Sequence, residues 1–445
     1  MTLLAKYDRG LPRYTSYPTA PHFHAGVGPE TYGAWLGALD PSEPVSIYLH
    51  VPFCRELCWF CGCTTKIVRR TEVFTRYAGL LRREIDLVTD RLPGRFRVGA
   101  IHWGGGTPLT LAPSEFLALS KHLGDRFAHI DETETAVEID PRILTPEQIA
   151  ALVEAGVGRA SLGVQDFDPE VQRAVNRVQP YDVTARAVAS LREAGVASIN
   201  LDLMYGLPLQ TVAGLVETAR RAAGLQPQRI ALFGYAHVPW MKRHQRLIDE
   251  RLLPDLSERL RQFEAASACL VERGYVRIGL DHFALPGDAM ARAAEDGRLR
   301  RNFQGYTSDP APVLLGLGAS AISTLPQGYV QNSASLRAYG EAVSSGRSAV
   351  RRGIVVDQDD LLRREVIERL MCEMRVDLAR ICERHGKSPA YFAPEWDRLA
   401  ALERDGLIIW SDHRIEVSER SLVRAVCAAF DSYLGLEGAR HSMIV

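Results

Sequence analysis

The chain has 445 residues, of which 46% are hydrophobic and 24% charged. That length suggests two or three domains, and that composition excludes wholesale disorder. Lysine plus arginine total 53 against 54 acids, a formal charge of −1, so no basic excess marks a nucleic-acid partner. No apolar run is long enough to cross a bilayer as a helix. The opening MTLLAKYDRGLPRY lacks the apolar core of a signal peptide, so a cytoplasmic protein, acting as a monomer, is expected.

Residues 1–40 are rich in Pro, Gly and aromatics (LPRYTSYPTAPHFHAG) and carry no helical or alternating period. They are read as an ordered arm laid over the rest, because Tyr14, Tyr17 and Phe23 would be poor solvent residues. From Val45 a rhythm begins in which short β-branched or apolar runs alternate with amphipathic stretches. The runs are 46–51, 98–103, 135–139, 159–164, 198–204 and 229–235. The helical stretches between them include Glu72–Leu92, Pro113–His122, Pro146–Ala155, Tyr181–Ala194 and Val212–Ala223.

Strands separated by helices of this length pair in parallel through right-handed crossovers. The expected fold is therefore α/β, a partial (β/α)6 barrel over 41–280, with function on the loops after the strands. The rhythm breaks near residue 280. Residues 281–350 read as a loop-rich extension completing the active site. Residues 351–445 read as a small, mainly helical or winged-helix C-terminal domain with a β-like piece at 407–417.

Eight cysteines are present, and Cys54, Cys58, Cys61 and Cys63 lie within ten residues. In a long chain such clustering points to metal binding or catalysis rather than a disulfide scaffold. Cys269, Cys372, Cys382 and Cys427 are scattered and read as buried small hydrophobes. Three thiolates on one loop can hold three irons of a cubic cluster and leave the fourth open to another ligand. A structural zinc site would use four ligands in paired knuckles, and no distant second knuckle is present. Gly104-Gly105-Gly106-Thr107-Pro108 follows the second run, and Glu138 and Asp202 sit near the ends of theirs.

The spacing Cys54-x3-Cys58-x2-Cys61 after the first strand resembles the signature of the radical S-adenosylmethionine (SAM) enzymes. The segments PRYTSYPTA (12–20), YLHVPFCRELCWFCGC (48–63), HWGGGTP (102–108), VEIDPR (137–142), SLGVQDFDPEVQRAVNR (161–177), DLMYGLP (202–208), LDHFA (280–284), RNFQGYT (301–307) and GASAIS (318–323) narrow the resemblance. Together they are similar to the oxygen-independent coproporphyrinogen III oxidases of that superfamily.

The resemblance implies one [4Fe–4S] cluster on Cys54, Cys58 and Cys61, with Cys63 not a ligand, and two SAM molecules. Tyr48, Gly105, Glu138 and Ile322 match the cluster-bound SAM site. Phe60, Gly106, Thr107, Gln165, Arg177, Asp202 and Ala236 match the second. The glycines are expected to let the backbone approach the methionine moiety. Glu138 can pair with the methionine ammonium or sulfonium, Arg177 with a methionine carboxylate, and Asp202 with ribose hydroxyls. Ile322 and Ala236 also suit a plain core, and Glu138 and Asp202 also suit salt bridges within the barrel.

The implied activity is decarboxylation of the ring A and B propionates of coproporphyrinogen III to vinyl groups. An electron donor and an electron acceptor are needed, and neither is named by the sequence. Arg13, Arg300 and Arg301 are candidate partners for substrate carboxylates. Two relatives remain as alternatives, a haem-trafficking chaperone and a haem-opening methyltransferase. The chaperone typically lacks the PRYTSYPTA arm and the fourth cysteine.

Overall fold

The computed structural model describes residues 6–7 and 10–435, without the side chains of 129–132. The remaining ends of the expected arm (1–40) and C-terminal domain (351–445) lie outside the described residues. Six strands carry the rhythm: β1 (Val45–Val51), β2 (Arg97–Gly105), β3 (Ala128–Ile139), β4 (Arg159–Gln165), β5 (Ser198–Tyr205) and β6 (Arg229–Gly234). Helices α1 (Thr71–Thr89), α2 (Pro113–Arg126), α3 (Pro146–Glu154), α4 (Tyr181–Glu193), α5 (Val212–Gly224) and α6 (Leu256–Glu272) follow them in turn. All six strands pair in parallel in chain order, as the spacing predicts.

Local chemistry sets the helix ends. Helices α2 and α3 begin on proline, whose fixed φ suits a first turn. Thr145 and Gln148 close a capping box at the start of α3. Gly156, at φ +71°, and Gly195, at φ +95°, follow the ends of α3 and α4, where a left-handed residue lets the chain turn back toward the sheet.

The strands divide their residues by face. Ile47, Leu49, Ile101, Trp103, Val137, Leu162 and Leu201 belong to one core cluster with Leu81, Ile85, Phe116 and Leu119 of the helices. The alternate positions Ser46, Tyr48, His102, Glu138, Ser161, Asn200 and Asp202 share the opposite, inner face. A polar row therefore lines the inside of the barrel.

Residues 281–350 are richer in strand than expected. Among the described residues, β7 (Val276–Ile278), β8 (His282–Ala284), β9 (Val313–Leu317), β10 (Ile322–Leu325), β11 (Gly328–Asn332) and β12 (Val350–Val355) extend the barrel sheet to twelve strands. Its order is β12-β11-β10-β9-β1-β2-β3-β4-β5-β6-β8-β7. Strand β9 pairs in parallel with β1, with Tyr48 opposite Gly316. These strands are only three to six residues long, too short to show an alternating period, and the two that join the barrel pair with β1 and β6 far away in sequence.

Beyond α7 (Leu336–Ser344), helices α8 (Gln358–Glu373), α9 (Leu378–Arg384), α10 (Trp396–Arg404) and α11 (Val423–Cys427) surround a small antiparallel sheet. That sheet comprises β13 (Arg375–Asp377), β14 (Ile408–Ser411) and β15 (Arg414–Val417), so the β-like piece at 407–417 is a hairpin. The arm packs as anticipated, with Tyr14, Tyr17 and Phe23 all buried. Tyr14 donates to Asp431 at 3.0 Å, and Arg424 donates to the carbonyls of Leu11 and Pro12. No helix among the described residues is long and apolar enough to cross a membrane.

Candidate active site

The cysteine loop leaves β1 and is clamped against the end of β2. Gly106 N–H donates to Val51 O at 2.9 Å, and Thr107 N–H to Phe53 O at 2.7 Å. A Cβ on Gly106 would stand 2.5 Å from Phe53 O, and one on Gly105 would stand 2.5 Å from the His50 ring. The glycine run thus lets the chain's own loop seat on β2. The expected close approach of the methionine moiety is not needed to explain it.

Two further segments fix the loop from the far side. Asn176, after the short helix Pro169–Ala174, donates to Leu57 O at 2.8 Å, and Trp59 N–H donates to Val175 O at 2.9 Å. After β6, Lys242 donates to Cys63 O at 2.9 Å and His244 Nε2–H to Cys61 O at 2.8 Å. Fully buried Gln245 donates to Phe60 O at 3.0 Å and Ala236 O at 3.1 Å. Lys242, His244 and Gln245 were missed from the sequence. Their only signal was a position after the C-terminal end of a barrel strand.

The thiols have distinct surroundings. Burial pushes Cys54 up to about 11, and the Thr107 hydroxyl lies 3.6 Å from its sulfur. A hydrogen bond with Cys63, opposed by burial and aided by His244 and Lys242, brings the Cys61 thiol below its ordinary range. Arg177 Nη1 lies 3.5 Å and Arg142 Nη2 3.9 Å from Cys58 Sγ, so two cations face that sulfur. Cys63 is exposed.

Among the described residues, no three His, Cys, Asp or Glu side chains are grouped to share one ion. Around one zinc, thiolates bound at about 2.3 Å would lie roughly 4 Å apart. A cubane spreads three thiolates over three irons, and the donor set of three soft thiols on one loop suits it. The scattered cysteines Cys269, Cys372, Cys382 and Cys427 are buried, as expected.

The remaining expected residues meet at the rim above the inner face. Tyr48 O–H donates to His50 Nδ1 at 2.9 Å, and His50 Nε2–H faces Thr64 O at 3.1 Å, which fixes the tautomer. Tyr48 also stacks on His102. Glu138 accepts from His102 Nε2–H at 3.1 Å and from Gly105 N–H at 3.1 Å. Burial opposes its charge, but these donors bring its pKa below the ordinary value. Asp202 accepts from Ser161 at 3.0 Å and Asn200 at 2.8 Å. Burial, then the charge of Glu138, raises its pKa. Asp202 makes no salt bridge among the described residues, and Glu138 is held by hydrogen bonds from His102 and Gly105.

Arg177 reaches Gly163 O at 2.7 Å and Asp140 at 3.5 Å, while its buried Nε has no partner. Beside it, Gln165 takes φ +70° at a bulge in β4. Ile322 and Ala236 are both half-buried, so neither belongs to the sealed core. Strand β10 runs against β9, which puts Ile322 at the same rim as the ends of the parallel strands. Polar donors, an unpartnered guanidinium nitrogen and two carboxylates at one rim suit an amino-acid nucleoside such as SAM.

The open parallel barrel with a three-cysteine loop after its first strand defines the radical SAM class. The family model of the Radical SAM superfamily matches residues 48–222, and that of the HemN C-terminal domain matches 356–423. The oxygen-independent coproporphyrinogen III oxidase of Bradyrhizobium diazoefficiens is 51% identical, covering 98% of both chains. That of Escherichia coli is 40% identical over 98% of this chain and 95% of its own. The solved structure of coproporphyrinogen III oxidase (HemN) from Escherichia coli, a radical SAM enzyme, superposes with a TM-score of 0.91 at 39% identity. It covers 95% of this chain and 98% of that one. The chain belongs to the oxygen-independent coproporphyrinogen III oxidase family, whose radical SAM membership entails a [4Fe–4S] cluster and SAM.

Proposed function

We infer that this chain catalyses the oxygen-independent oxidative decarboxylation of coproporphyrinogen III to protoporphyrinogen IX in haem biosynthesis. The ring A and B propionates become vinyl groups. The observation that carries this reading is the end-to-end likeness to the family, 51% identity over 98% of the chain. When bound, the cluster and SAM would supply the radical chemistry that removes a hydrogen from a propionate β-carbon, with loss of carbon dioxide and of one electron to an acceptor.

The chain's own residues place and polarise. Cys54, Cys58 and Cys61 would hold three irons, with the Arg142 and Arg177 guanidiniums facing the Cys58 sulfur. Cys63 is not a ligand. Two SAM molecules bind side by side. Tyr48, Gly105, Glu138 and Ile322 hold the first. Phe60, Gly106, Thr107, Gln165, Arg177, Asp202 and Ala236 hold the second. Glu138 stays ionised to meet the methionine ammonium, because His102 and Gly105 N–H stabilise its negative charge. The unpartnered Nε of Arg177 offers a donor to a methionine carboxylate.

The chain divides into an arm (1–40), the core barrel (41–280), an extension completing the site (281–350) and a C-terminal domain (351–445). It works as a cytoplasmic monomer, served by an electron donor and an acceptor. Eight cysteines without a disulfide support a reducing compartment.

The test is an anaerobic assay of the reconstituted protein with coproporphyrinogen III, SAM and a reductant. Protoporphyrinogen IX and 5′-deoxyadenosine should both form. Tight haem binding with no turnover would replace this reading with the chaperone.

A further inference from the structure

A cleft lies between the arm, the inner face of the sheet and α8, with about 110 Å³ of enclosed space that opens to solvent. Its floor includes Ser46, Leu314 and Thr324. Ser46 and Tyr48 share a face of β1, and Thr324 and Ile322 share a face of β10, because side chains two apart on a strand point the same way. The cavity therefore begins about 7 Å along those strands from two residues assigned to the cluster-bound SAM. A substrate seated there abuts the reacting centre.

The charges in its wall are unbalanced in a specific way. Arg300, Arg301 and Arg364 face Asp309 and Glu368. Asp309 already accepts from Ser46 and from Ala311 N–H. Glu368 accepts from Arg301 N–H at 3.1 Å and lies 3.9 Å from both Arg300 and Arg369.

Arg301 and Arg364 make no ion pair among the described residues. The Nε and Nη1 of Arg301 are buried with no hydrogen-bond partner. Its Nη2 makes one long bond, 3.5 Å, to Arg13 O. Asp281 acts on it through space, but that carboxylate is taken by His282 Nδ1–H at 2.7 Å. The guanidinium is held in place 4.4 Å over the Tyr306 ring. Arg364 donates to Tyr329 Oη at 3.4 Å, with Glu368 and Asp360 acting on it through space. Burying cationic donors without acceptors is costly, and it is tolerated where a ligand supplies the acceptors.

We propose that Arg301 and Arg364 bind two propionate carboxylates of the tetrapyrrole in this cavity, an inference that rests on the function proposed above. A carboxylate held by a charge-assisted hydrogen bond is poorly placed to depart as carbon dioxide. The anchored pair are accordingly the two carboxylates that survive in the product. The remaining two propionates are directed toward Tyr48 and Ile322.

The experiment titrates the reconstituted holoprotein with coproporphyrin III, the fluorescent oxidised form that keeps all four carboxylates, and with its tetramethyl ester. Arg301→Ala and Arg364→Ala should each weaken coproporphyrin III binding about 10- to 100-fold. Neither should change binding of the ester, and iron content and SAM affinity should stay near wild type. Arg301→Lys should recover part of the loss, which separates charge from folding damage. Unchanged affinity in both alanine variants, or equal weakening for the ester, overturns the proposal. If wild-type protein forms no protoporphyrinogen IX, the functional reading fails instead. If it turns over while the variants bind normally, only the carboxylate assignment fails.

Discussion

At the cysteine loop, the thiols assigned to iron lie between residues 54 and 61, and their nearest support is the glycine run at 104–106. The walls of the arm cavity come instead from residues 14–17, 46, 300–324 and 364–368. The first region is a turn seated on adjacent parallel strands by backbone hydrogen bonds and held from outside by the side chains of Asn176, Lys242, His244 and Gln245. The second exists only once the arm, the sheet extension and the C-terminal domain have docked together. The difference separates two tasks. The cluster's thiols come from one short motif, whereas the walls of the arm cavity are drawn from the whole chain.

The sharpest way to break this contrast is at the cluster. Cys58→Ser should abolish reconstituted iron and visible absorption, because serine is a harder ligand that serves iron–sulfur clusters poorly. The stability of the arm and C-terminal domain should be untouched. Full iron content in this variant would remove Cys58 from the ligand set.

Deleting the first 24 residues probes the other region. The arm is more than a lid, since Leu11, Tyr14, Tyr17 and Phe23 are buried and Leu11 and Pro12 supply acceptors to Arg424. The truncation should cost several kcal/mol, as loss of large buried side chains does, and should abolish turnover. The cysteine loop, which makes none of its described hydrogen bonds to the arm, should still take up iron. Wild-type melting behaviour after truncation would show that the arm merely rests on the surface.

Glu84 of α1 ties that helix to the sheet extension and titrates in an informative range. It accepts from Gly318 N–H at 2.6 Å, Asn332 Nδ2 at 2.6 Å and Tyr339 O–H at 2.7 Å. Nearby, Tyr77 accepts from Ala319 N–H at 2.9 Å and donates to His50 O at 2.8 Å, which ties the 318–322 loop to β1. Burial raises the Glu84 pKa from the ordinary value of 4.5 to about 7.

The native state therefore holds a proton that the unfolded chain releases. Stability from this group is fully present below the unfolded value and falls as pH rises through about 7. The loss is of order 3 kcal/mol, from 1.36 kcal/mol per pH unit. In urea denaturation, the advantage of Glu84→Gln over wild type should grow between about pH 5 and about pH 8. A pH-independent difference would refute the buried proton.

The smallest effect is expected two residues beyond the triad. Cys63→Ser should retain iron, sulfide and SAM binding near wild type, whatever happens to turnover. Loss of the cluster as complete as in Cys58→Ser would make the site a four-cysteine one, with no iron left open.

The apolar runs and amphipathic helices placed the six barrel strands to within a few residues, apart from an early start to β3, and limited their parallel pairing to a handful of topologies. The sequence by itself also determined the cysteine loop, the glycine run and the rim positions of Glu138 and Asp202, because strand ends and short motifs are properties of neighbouring residues. Only the tertiary structure decided that β9 joins β1 in parallel, that Lys242, His244 and Gln245 clamp the cysteine loop, and that Glu84 holds the Gly318 turn. These pairings join residues that leave no periodic trace in sequence, since a single buried side chain bonded to a distant carbonyl repeats nothing along the chain. The unpartnered nitrogens of Arg301 belong to the same class. Arg301 could be named from the sequence as a candidate, but its lack of an acceptor is a property of what the fold packs around it.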